Sequence, residues 1–281
     1  MKILSICSTD YNYEQAKGII KWLKGDSDST VLRIPNLNNL LVSYWLLLIY
    51  YLFFRYYKFV KLDTKYDLLV VTGKSVVAQA FIIGNQLNIP VSCVQKPFGY
   101  PISWFKHQYI PYHDLSQTPA KNQIPTLIAP NTFDYHDNPN RLDRVSFLVG
   151  GQVHNNTFDQ KDILDFLNKY NYPFKLEVIT SRRTPKELKK KINYPIIDKY
   201  GSVKDAYYNS KIVIITDDSF SMISEAVQSG IKPYILKTKN STKKHNIGIK
   251  KLEEENLIRY YNDELKYQMI DINDYQKIYL L

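Results

Sequence analysis

Short apolar runs alternate with helical patterns in the first half of the chain. Residues 2–7, 68–71 and 90–95 are apolar runs of strand length. Residues 13–23 and 75–87 place apolar side chains three and four positions apart, a spacing that predicts helices. Strands that alternate with helices form parallel βαβ units, so this half of the chain is predicted to be an α/β domain.

The alternation restarts after residue 144. Strand-like and helical segments follow one another at 145–149, 162–170, 176–180, 185–191 and 212–215, and then as a helix after Asp218 and a strand near Tyr234. Because the second series repeats the first, it predicts a second domain of the same class.

The two series predict an α/β protein with two Rossmann-like domains that face a cleft. The first domain is expected over residues 1–130 and the second over residues 145–281. Residues 131–144 are rich in Asn, Asp and Pro, a composition typical of a linker. Ligands of such sheets bind beyond the carboxyl ends of the strands, which in the first domain points to Asp10, Gly73, Lys74 and Lys96.

Residues 40–54 depart from this pattern because they are uncharged and mostly apolar. As a helix they span about 22 Å, less than the roughly 30 Å hydrocarbon core of a bilayer. Arg55, Lys58 and Lys61 follow them, so the segment is predicted to be an in-plane membrane anchor over residues 40–61. The alternatives are a buried helix of the first domain or an interface with a second subunit.

The composition, with 44% hydrophobic and 23% charged residues, is that of an ordinary globular protein. Lys and Arg number 37 against 27 acidic residues, and the net charge of +10 is concentrated at 182–191 and 237–251. Such patches attract phosphates, nucleic acid or anionic membranes, although a solvated lysine surface has the same composition. Cys7 and Cys93 lie in apolar runs, and residues 1–6 predict a strand rather than a signal peptide. We therefore expect a cytoplasmic protein.

The strand, turn and helix around Asp218 carry the most informative chemistry. Asp218 or Ser219 is placed to cap the helix, and Ser221, Met222 and Glu225 then lie near its N-terminal end. A helix N-terminus binds phosphate through unpaired N–H groups, and a glutamate one turn later can accept hydrogen bonds from ribose hydroxyls. The stretch predicts a nucleotide-diphosphate site. The alternative is an ordinary strand–loop–helix in which Ser and Asp serve only as caps.

Two other loops are predicted at the same edge of the second domain. Gly150-Gly151 allows close approach of backbone to a phosphate. Ser181-Arg182-Arg183-Thr184 leads into a helix and offers two guanidiniums that can bind phosphate oxygens bidentately. Together with the Asp218 stretch, they make three anion-compatible loops on one rim.

Candidate general bases lie in the first domain. His113 and Asp114 are adjacent on a predicted loop, and either can draw a proton from an acceptor hydroxyl. Asp10 is the second choice. The alternative for His113 and Asp114 is an ordinary surface turn.

Several common kinds of site are not indicated by the sequence. No His and Cys set has zinc spacing, and we find neither a Gly-x-Ser-x-Gly elbow nor a Walker lysine loop. The glycine-rich dinucleotide fingerprint is also missing, which argues against a redox enzyme. We assign no Asp-x-Asp metal motif in the chain, so we expect neither a metal nor a cofactor.

Four motifs together resemble those of a known family. They are Tyr112-His113-Asp114, Leu148-Val149-Gly150-Gly151, Thr180-Ser181-Arg182-Arg183-Thr184-Pro185 and Thr216-x-Asp218-Ser219-x-Ser221-Met222-x-Ser224-Glu225-Ala226. The chain resembles the bacterial relatives of the plant elongated-mitochondria fission protein, which are similar to glycosyltransferases of the two-Rossmann-domain (GT-B) type. The resemblance runs from about Leu4 to Tyr234.

The resemblance implies a glycosyltransferase with a nucleotide-diphosphate sugar as donor, and the missing Asp-x-Asp metal motif predicts that it is metal-independent. The nucleotide is expected to bind the second domain, and a lipid-linked or cell-envelope saccharide is the expected acceptor. We expect an anionic membrane surface rather than nucleic acid as a further partner, with the protein peripheral on the inner face of the membrane. The alternatives are a non-catalytic peripheral membrane or scaffold protein with a GT-B-like fold, or a nucleotide-sugar epimerase or hydrolase.

Overall fold

The computed structural model describes residues 1–8, 10–57, 61–62, 64–97, 99–115, 118–151, 158–198, 201–262 and 264–279, with backbone only at 10, 11 and 279. The chain divides into two compact units, residues 1–132 and residues 133–280. Each unit is built around one parallel β-sheet.

In the first unit, the described residues form a six-stranded sheet in the order β2-β1-β3-β4-β5-β6. The strands are β1 Ile3–Cys7, β2 Thr30–Arg33, β3 Leu68–Thr72, β4 Val91–Val94, β5 Gln108–Pro111 and β6 Gln123–Thr126. The predicted strands at 2–7, 68–71 and 90–95 are confirmed. Strands β2, β5 and β6 were not predicted because they are four residues long and only partly apolar.

Helices cover both faces of this sheet. They are α1 Asp10–Trp22, α2 Leu40–Ile49, which continues into a π-helical turn Tyr50–Phe54, and α3 Val77–Leu87. On β1, Ile3 packs with Ile19 of α1, whereas Leu4 and Ile6 belong to the cluster that contains Val77 of α3. Because alternate residues of a strand face opposite sides, the sheet is buried on both faces, as parallel sheets require.

Helix α2 is packed onto the first unit by one narrow side. Its buried residues are Ser43 and Leu47, and the π-helical turn buries Tyr50. The Tyr50 hydroxyl lies 2.6 Å from Asn85 Oδ1 and accepts a hydrogen bond of 2.7 Å from Gln86 Nε2. The hydrophobic core therefore includes part of this segment, as one of the sequence alternatives supposed.

The opposite side of this segment is exposed and apolar. We call it the apolar outer face; its residues have exposed fractions between 44% and 66%, and they are Leu41, Val42, Trp45, Leu48, Ile49, Leu52, Phe53 and Phe54. Arg55 and Lys61 beyond it are exposed, whereas Lys58 lies outside the described residues. None of the helices that the structure describes has both the length and the hydropathy needed to cross a bilayer.

The sheet of the second unit has five strands among the described residues, in the order β11-β10-β9-β7-β8. They are β7 Leu142–Val149, β8 Lys175–Thr180, β9 Ser210–Thr216, β10 Tyr234–Leu236 and β11 Arg259–Tyr260. Counted from its own first strand, this unit has the strand order 2-1-3-4-5, and the first five strands of the first unit have the same order. Both orders reverse beside the first strand, where α/β sheets bind ligands.

The helices of the second unit connect these strands, except the last one, which follows β11. They are α4 Lys161–Lys169, α5 Lys186–Lys191, α6 Ser202–Asn209, α7 Phe220–Gln228, α8 Lys243–Glu254 and α9 Ile272–Gln276. Arg141, within the stretch predicted as a linker, is buried, and its Nη1 donates to the carbonyl oxygens of Tyr207 (2.6 Å) and Ser210 (3.0 Å). β7 already begins at Leu142, so the end of this polar stretch is attached to the second sheet.

Candidate functional site

The predicted donor loops all follow strands of the second sheet. Because β7, β8, β9 and β10 run parallel, the loops after them meet at one edge of the sheet. The predicted loops begin at Gly150, Ser181 and Asp217, and a fourth loop at this edge, which was not among them, begins at Lys237. The first and third flank the point where the strand order reverses, so the structure brings the predicted donor residues together at the expected edge.

The Gly150–Gly151 turn is closed by hydrogen bonds within the protein. Gly150 N donates to Thr216 Oγ1 (2.8 Å), and Gly151 N donates to Asp218 Oδ2 (2.7 Å). A Cβ on Gly150 would lie 2.2 Å from Asp218 Oδ2, and a Cβ on Gly151 would lie 2.2 Å from the Arg183 carbonyl carbon. The glycines therefore allow three loops to touch. Their N–H groups already have acceptors within the protein, and close approach of this backbone to a phosphate stays a prediction.

In the Ser181–Thr184 turn, the first and last side chains form hydrogen bonds within the protein, and the two between them are exposed. Ser181 Oγ donates to the Gly150 carbonyl oxygen (3.0 Å), and Ser181 N donates to Thr184 Oγ1 (2.9 Å). Thr184 is buried by these contacts. Arg182 and Arg183 are exposed, and neither forms an ion pair with a residue that the structure describes. The turn thus holds two guanidiniums at the edge of the sheet.

The helices after these loops differ in their capacity to bind an anion. α5 has only six residues, and Pro185, which has no N–H, is its N-cap. Ser219 is the N-cap residue of α7, but its side chain makes no capping bond, and Asp218 bonds to Gly151 instead. Ser219 is thus the N-cap residue, as predicted, but neither Ser219 nor Asp218 caps the helix with its side chain. The N-cap side chain makes no bond to the first turn of α7, and the dipole of this helix favours an anionic ligand at its N-terminus.

A buried tyrosine supports Glu225. The Tyr207 hydroxyl donates to the Met222 carbonyl oxygen (2.9 Å) and lies 3.5 Å from Glu225 Oε2. Burial, and secondarily the Glu225 charge, raises the pKa of Tyr207 well above its usual value. Glu225 is half-buried and lies one helical turn after Ser221, on the same side of α7. Tyr207 had no signal in the sequence because it comes from a different helix, α6.

Asp217, which the sequence analysis did not select, connects two loops of the site. Its Oδ1 accepts hydrogen bonds from Thr238 N (3.0 Å) and Thr238 Oγ1 (2.7 Å), and its carbonyl oxygen accepts one from Ser241 Oγ (3.1 Å). Burial raises the pKa of Asp217 to about 6, with Asp218 adding to the effect. The neighbouring Asp218 is also buried, and its Oδ1 has no hydrogen-bond partner among the described residues.

The raised pKa of Asp217 predicts a stability that falls as the pH rises. The folded protein holds this proton to about pH 6, whereas the unfolded chain releases it near pH 4, so the contribution of Asp217 declines across that interval. We expect Asp217→Asn, whose amide oxygen can still accept from Thr238, to raise the free energy of unfolding by about 1–3 kcal/mol at neutral pH. Urea unfolding between pH 4 and 7.5 measures this. Asp165→Asn, exposed on α4, is the control, and an Asp217→Asn effect that is constant with pH would contradict the assignment.

The structure separates the candidate bases of the first unit. His113 and Asp114 form a short 3-10 turn after β5, with His113 Nε2 3.8 Å from Asp114 Oδ2. Asp10 begins α1 after β1, and its side chain lies outside the described residues. Since β1 and β5 are three strand spacings apart in the sheet order, the two positions follow strands that are separated by about 14 Å. They are therefore alternative bases rather than partners.

The chain does contain one Asp-x-Asp triplet, which we did not assign from the sequence, and it lies at the edge of the first sheet opposite to the candidate bases. Asp26-Ser27-Asp28 precedes β2, and Asp28 Oδ2 pairs with Lys2 Nζ at 2.5 Å near the amino end of β1. Within the described ranges, no group of three or more His, Cys, Asp or Glu side chains is arranged to hold a metal ion.

Comparison with known proteins identifies relatives by sequence. A family model described as Mitochondrial fission ELM1 matches residues 12–278. The uncharacterized protein RP120 of Rickettsia prowazekii (strain Madrid E) is 28% identical over 156 residues. That match covers 48% of this chain and 44% of RP120, so the chain matches less than half of that relative's length.

Solved structures resemble the whole chain in fold. The S. aureus MnaA–UDP co-structure has 16% identity and a TM-score of 0.50, covering 99% of this chain and 91% of its own. The structure of LpCGTa in complex with UDP has 7% identity and a TM-score of 0.51, covering 99% of this chain and 89% of its own. With the two parallel sheets, these likenesses show a GT-B-like fold and confirm the prediction of two Rossmann-like domains.

Proposed function

The chain belongs to the mitochondrial fission ELM1 family, and from that membership and its GT-B-like fold we propose that it is a glycosyltransferase with a nucleotide-diphosphate sugar as donor. One observation carries the proposal. At the carboxyl edge of the second sheet, the loop after β8 exposes two guanidiniums that form no ion pair with a described residue, and α7 begins after β9 at the same edge. Exposed cations and helix N–H groups are the donors that a diphosphate requires.

Each predicted donor residue takes a part in this proposal. Arg182 and Arg183 bind the diphosphate, and the first turn of α7, with Ser219, Ser221 and Met222, supplies further donors. Glu225 accepts from the ribose hydroxyls. The remaining residues hold the loops in place, and they are Gly150, Gly151, Ser181, Thr184 and Asp218. UDP is the first nucleotide to test because MnaA and LpCGTa were both crystallised with it.

In the proposed reaction the leaving diphosphate is stabilised by arginine and N–H donors rather than by a cation. Such groups are most effective where negative charge develops in the transition state. Asp114, with His113, remains our first candidate for the base that deprotonates the acceptor hydroxyl, and Asp10 the second. If Asp114→Asn leaves transfer intact, the role passes to Asp10.

Glu225→Gln is expected to weaken UDP binding by about 1.5–3 kcal/mol, the usual contribution of a hydrogen bond to a charged group. Isothermal titration calorimetry on the full chain measures it. Glu253→Gln, which removes the same charge from the exposed end of α8, should bind UDP like the wild type. A wild type that binds no nucleoside diphosphate, or a Glu225→Gln variant of normal affinity, would overturn the proposed site.

Products distinguish the proposed activity from its alternatives. Incubation with a panel of nucleotide sugars should release free nucleoside diphosphate slowly, which favours a transferase or hydrolase. Acceptor-dependent acceleration then separates the two. Interconversion of the sugar would identify an epimerase, and inertness without binding would identify a scaffold.

We further propose that the acceptor is a lipid-linked or cell-envelope saccharide and that the protein is peripheral on the cytoplasmic face of the membrane. The apolar outer face of the first unit supports this proposal, because an exposed surface of large apolar side chains beside Arg55 and Lys61 suits the interface of an anionic bilayer.

A further inference from the structure

A pocket of about 360 Å³ lies in the first unit, and none of the predicted donor residues lines it. Its walls come from the loops after β1, β3 and β4, at the reversal point of the first sheet. The polar lining side chains include Ser8, Asn12, Lys74, Ser75 and Lys96. The pocket thus occupies in the first unit the position that the donor loops occupy in the second.

The lining is suited to an anion. Lys74 and Lys96 are exposed, and neither forms an ion pair with a described residue. The described lining contains no carboxylate. Ser8 Oγ and Ser75 Oγ lie 3.2 Å apart, and Ser75 Oγ donates to Asn36 Oδ1 (2.7 Å). A negatively charged group in the pocket would therefore meet two cations and a hydroxyl, and the described lining has no negative charge to repel it.

The pocket adjoins the start of α2. Asn36 and Asn38 line it, and Asn39 caps α2 by accepting from Leu41 N at 2.9 Å. On the other side of the pocket, the loop after Pro97 touches the same helix, where the Tyr44 hydroxyl donates to the Gly99 carbonyl oxygen. The apolar outer face therefore begins at the rim of the pocket.

We propose that this pocket binds the phosphate group of a membrane lipid, whose chain remains in the bilayer below the apolar outer face. Lys74 and Lys96 bind the phosphate, and α2 lies in the interface beside it. That this lipid is the saccharide acceptor rests on the proposed glycosyltransferase function. The binding of the phosphate itself does not.

The test uses two probes and the full chain. Inorganic pyrophosphate is titrated in an Arg182→Ala/Arg183→Ala background, so that the donor loops do not contribute. Flotation then compares three kinds of vesicle. The first is phosphatidylcholine alone, the second contains a long-chain polyprenyl phosphate, and the third contains enough phosphatidylglycerol to give the same surface charge as the second. Lys74→Gln/Lys96→Gln is compared with Lys106→Gln/Lys121→Gln, which removes two exposed lysines elsewhere in the first unit.

We expect Lys74→Gln/Lys96→Gln to lower the affinity for pyrophosphate at least about tenfold and to abolish the preference for polyprenyl phosphate over phosphatidylglycerol. The control pair should change neither. Equal recruitment to both anionic vesicles, or pyrophosphate binding without a lipid preference, would overturn the lipid assignment, and unchanged binding in the pocket variant would overturn the site. Titration with UDP tests the donor site and is independent of these two experiments. If UDP does not bind, the proposed function is wrong, but the result for the pocket is unaffected.

Discussion

Replacing Arg182 and Arg183 together by alanine is expected to lower the rate of sugar transfer by more than about a hundredfold, while EDTA leaves the wild-type rate unchanged. Both guanidiniums are exposed at the donor loops and have no ion-pair partner among the described residues. Loss of a donor that stabilises developing charge costs about a hundredfold to a thousandfold in rate. Release of nucleoside diphosphate under single-turnover conditions measures the effect on chemistry.

The matched control removes the same charge from the neighbouring helix. Lys186 and Lys190 are exposed on α5, so Lys186→Ala/Lys190→Ala tests whether general positive charge is sufficient. That variant should retain most of the activity. If the two double variants are equally active, the arginines do not bind the diphosphate. Strict dependence of the wild type on Mg²⁺ or Mn²⁺ would contradict the metal-independent mechanism.

Serine at four positions of the apolar outer face should abolish flotation with anionic vesicles and leave the affinity for UDP unchanged. The substitutions are Trp45→Ser, Leu48→Ser, Leu52→Ser and Phe53→Ser; all four side chains are exposed, so the fold should tolerate them. Each large apolar side chain contributes about 1.5–3 kcal/mol when it leaves water, so their joint loss exceeds what the nearby basic residues supply. Leu47 is excluded because it belongs to the core.

The control for this variant is Leu142→Ser/Ile247→Ser/Ile272→Ser, at exposed apolar positions of the second unit. It should still float with vesicles. The face would be a subunit interface if the wild type does not bind vesicles and elutes as a dimer, whereas the four-serine variant elutes as a monomer. Unfolding of the four-serine variant would show that this side belongs to the core after all.

The sequence alone was sufficient for the elements that depend on local patterns. The strands at 2–7, 68–71 and 145–149 are apolar runs because parallel strands are covered on both faces. Burial on both faces requires apolar side chains at consecutive positions, and such a run can be recognised in the sequence. The alternation of strands with helices then predicted parallel sheets, and their carboxyl edges predicted where Arg182 and the α7 loop would meet. Short strands such as β6, which contains Pro125, carry too little of this pattern.

Tertiary structure decided the contacts between residues far apart in the chain. Whether the N–H of Gly151 is available to a phosphate depends on Asp218, and the position of Glu225 depends on Tyr207 from another helix. The same holds for α2, whose sequence is apolar on every side, so that only its packing against α3 determines which residues are core and which are exposed. The periodicity of apolar residues predicts the secondary structure of a segment. The partners of its side chains are set by the strand order and by the loops that this order brings together.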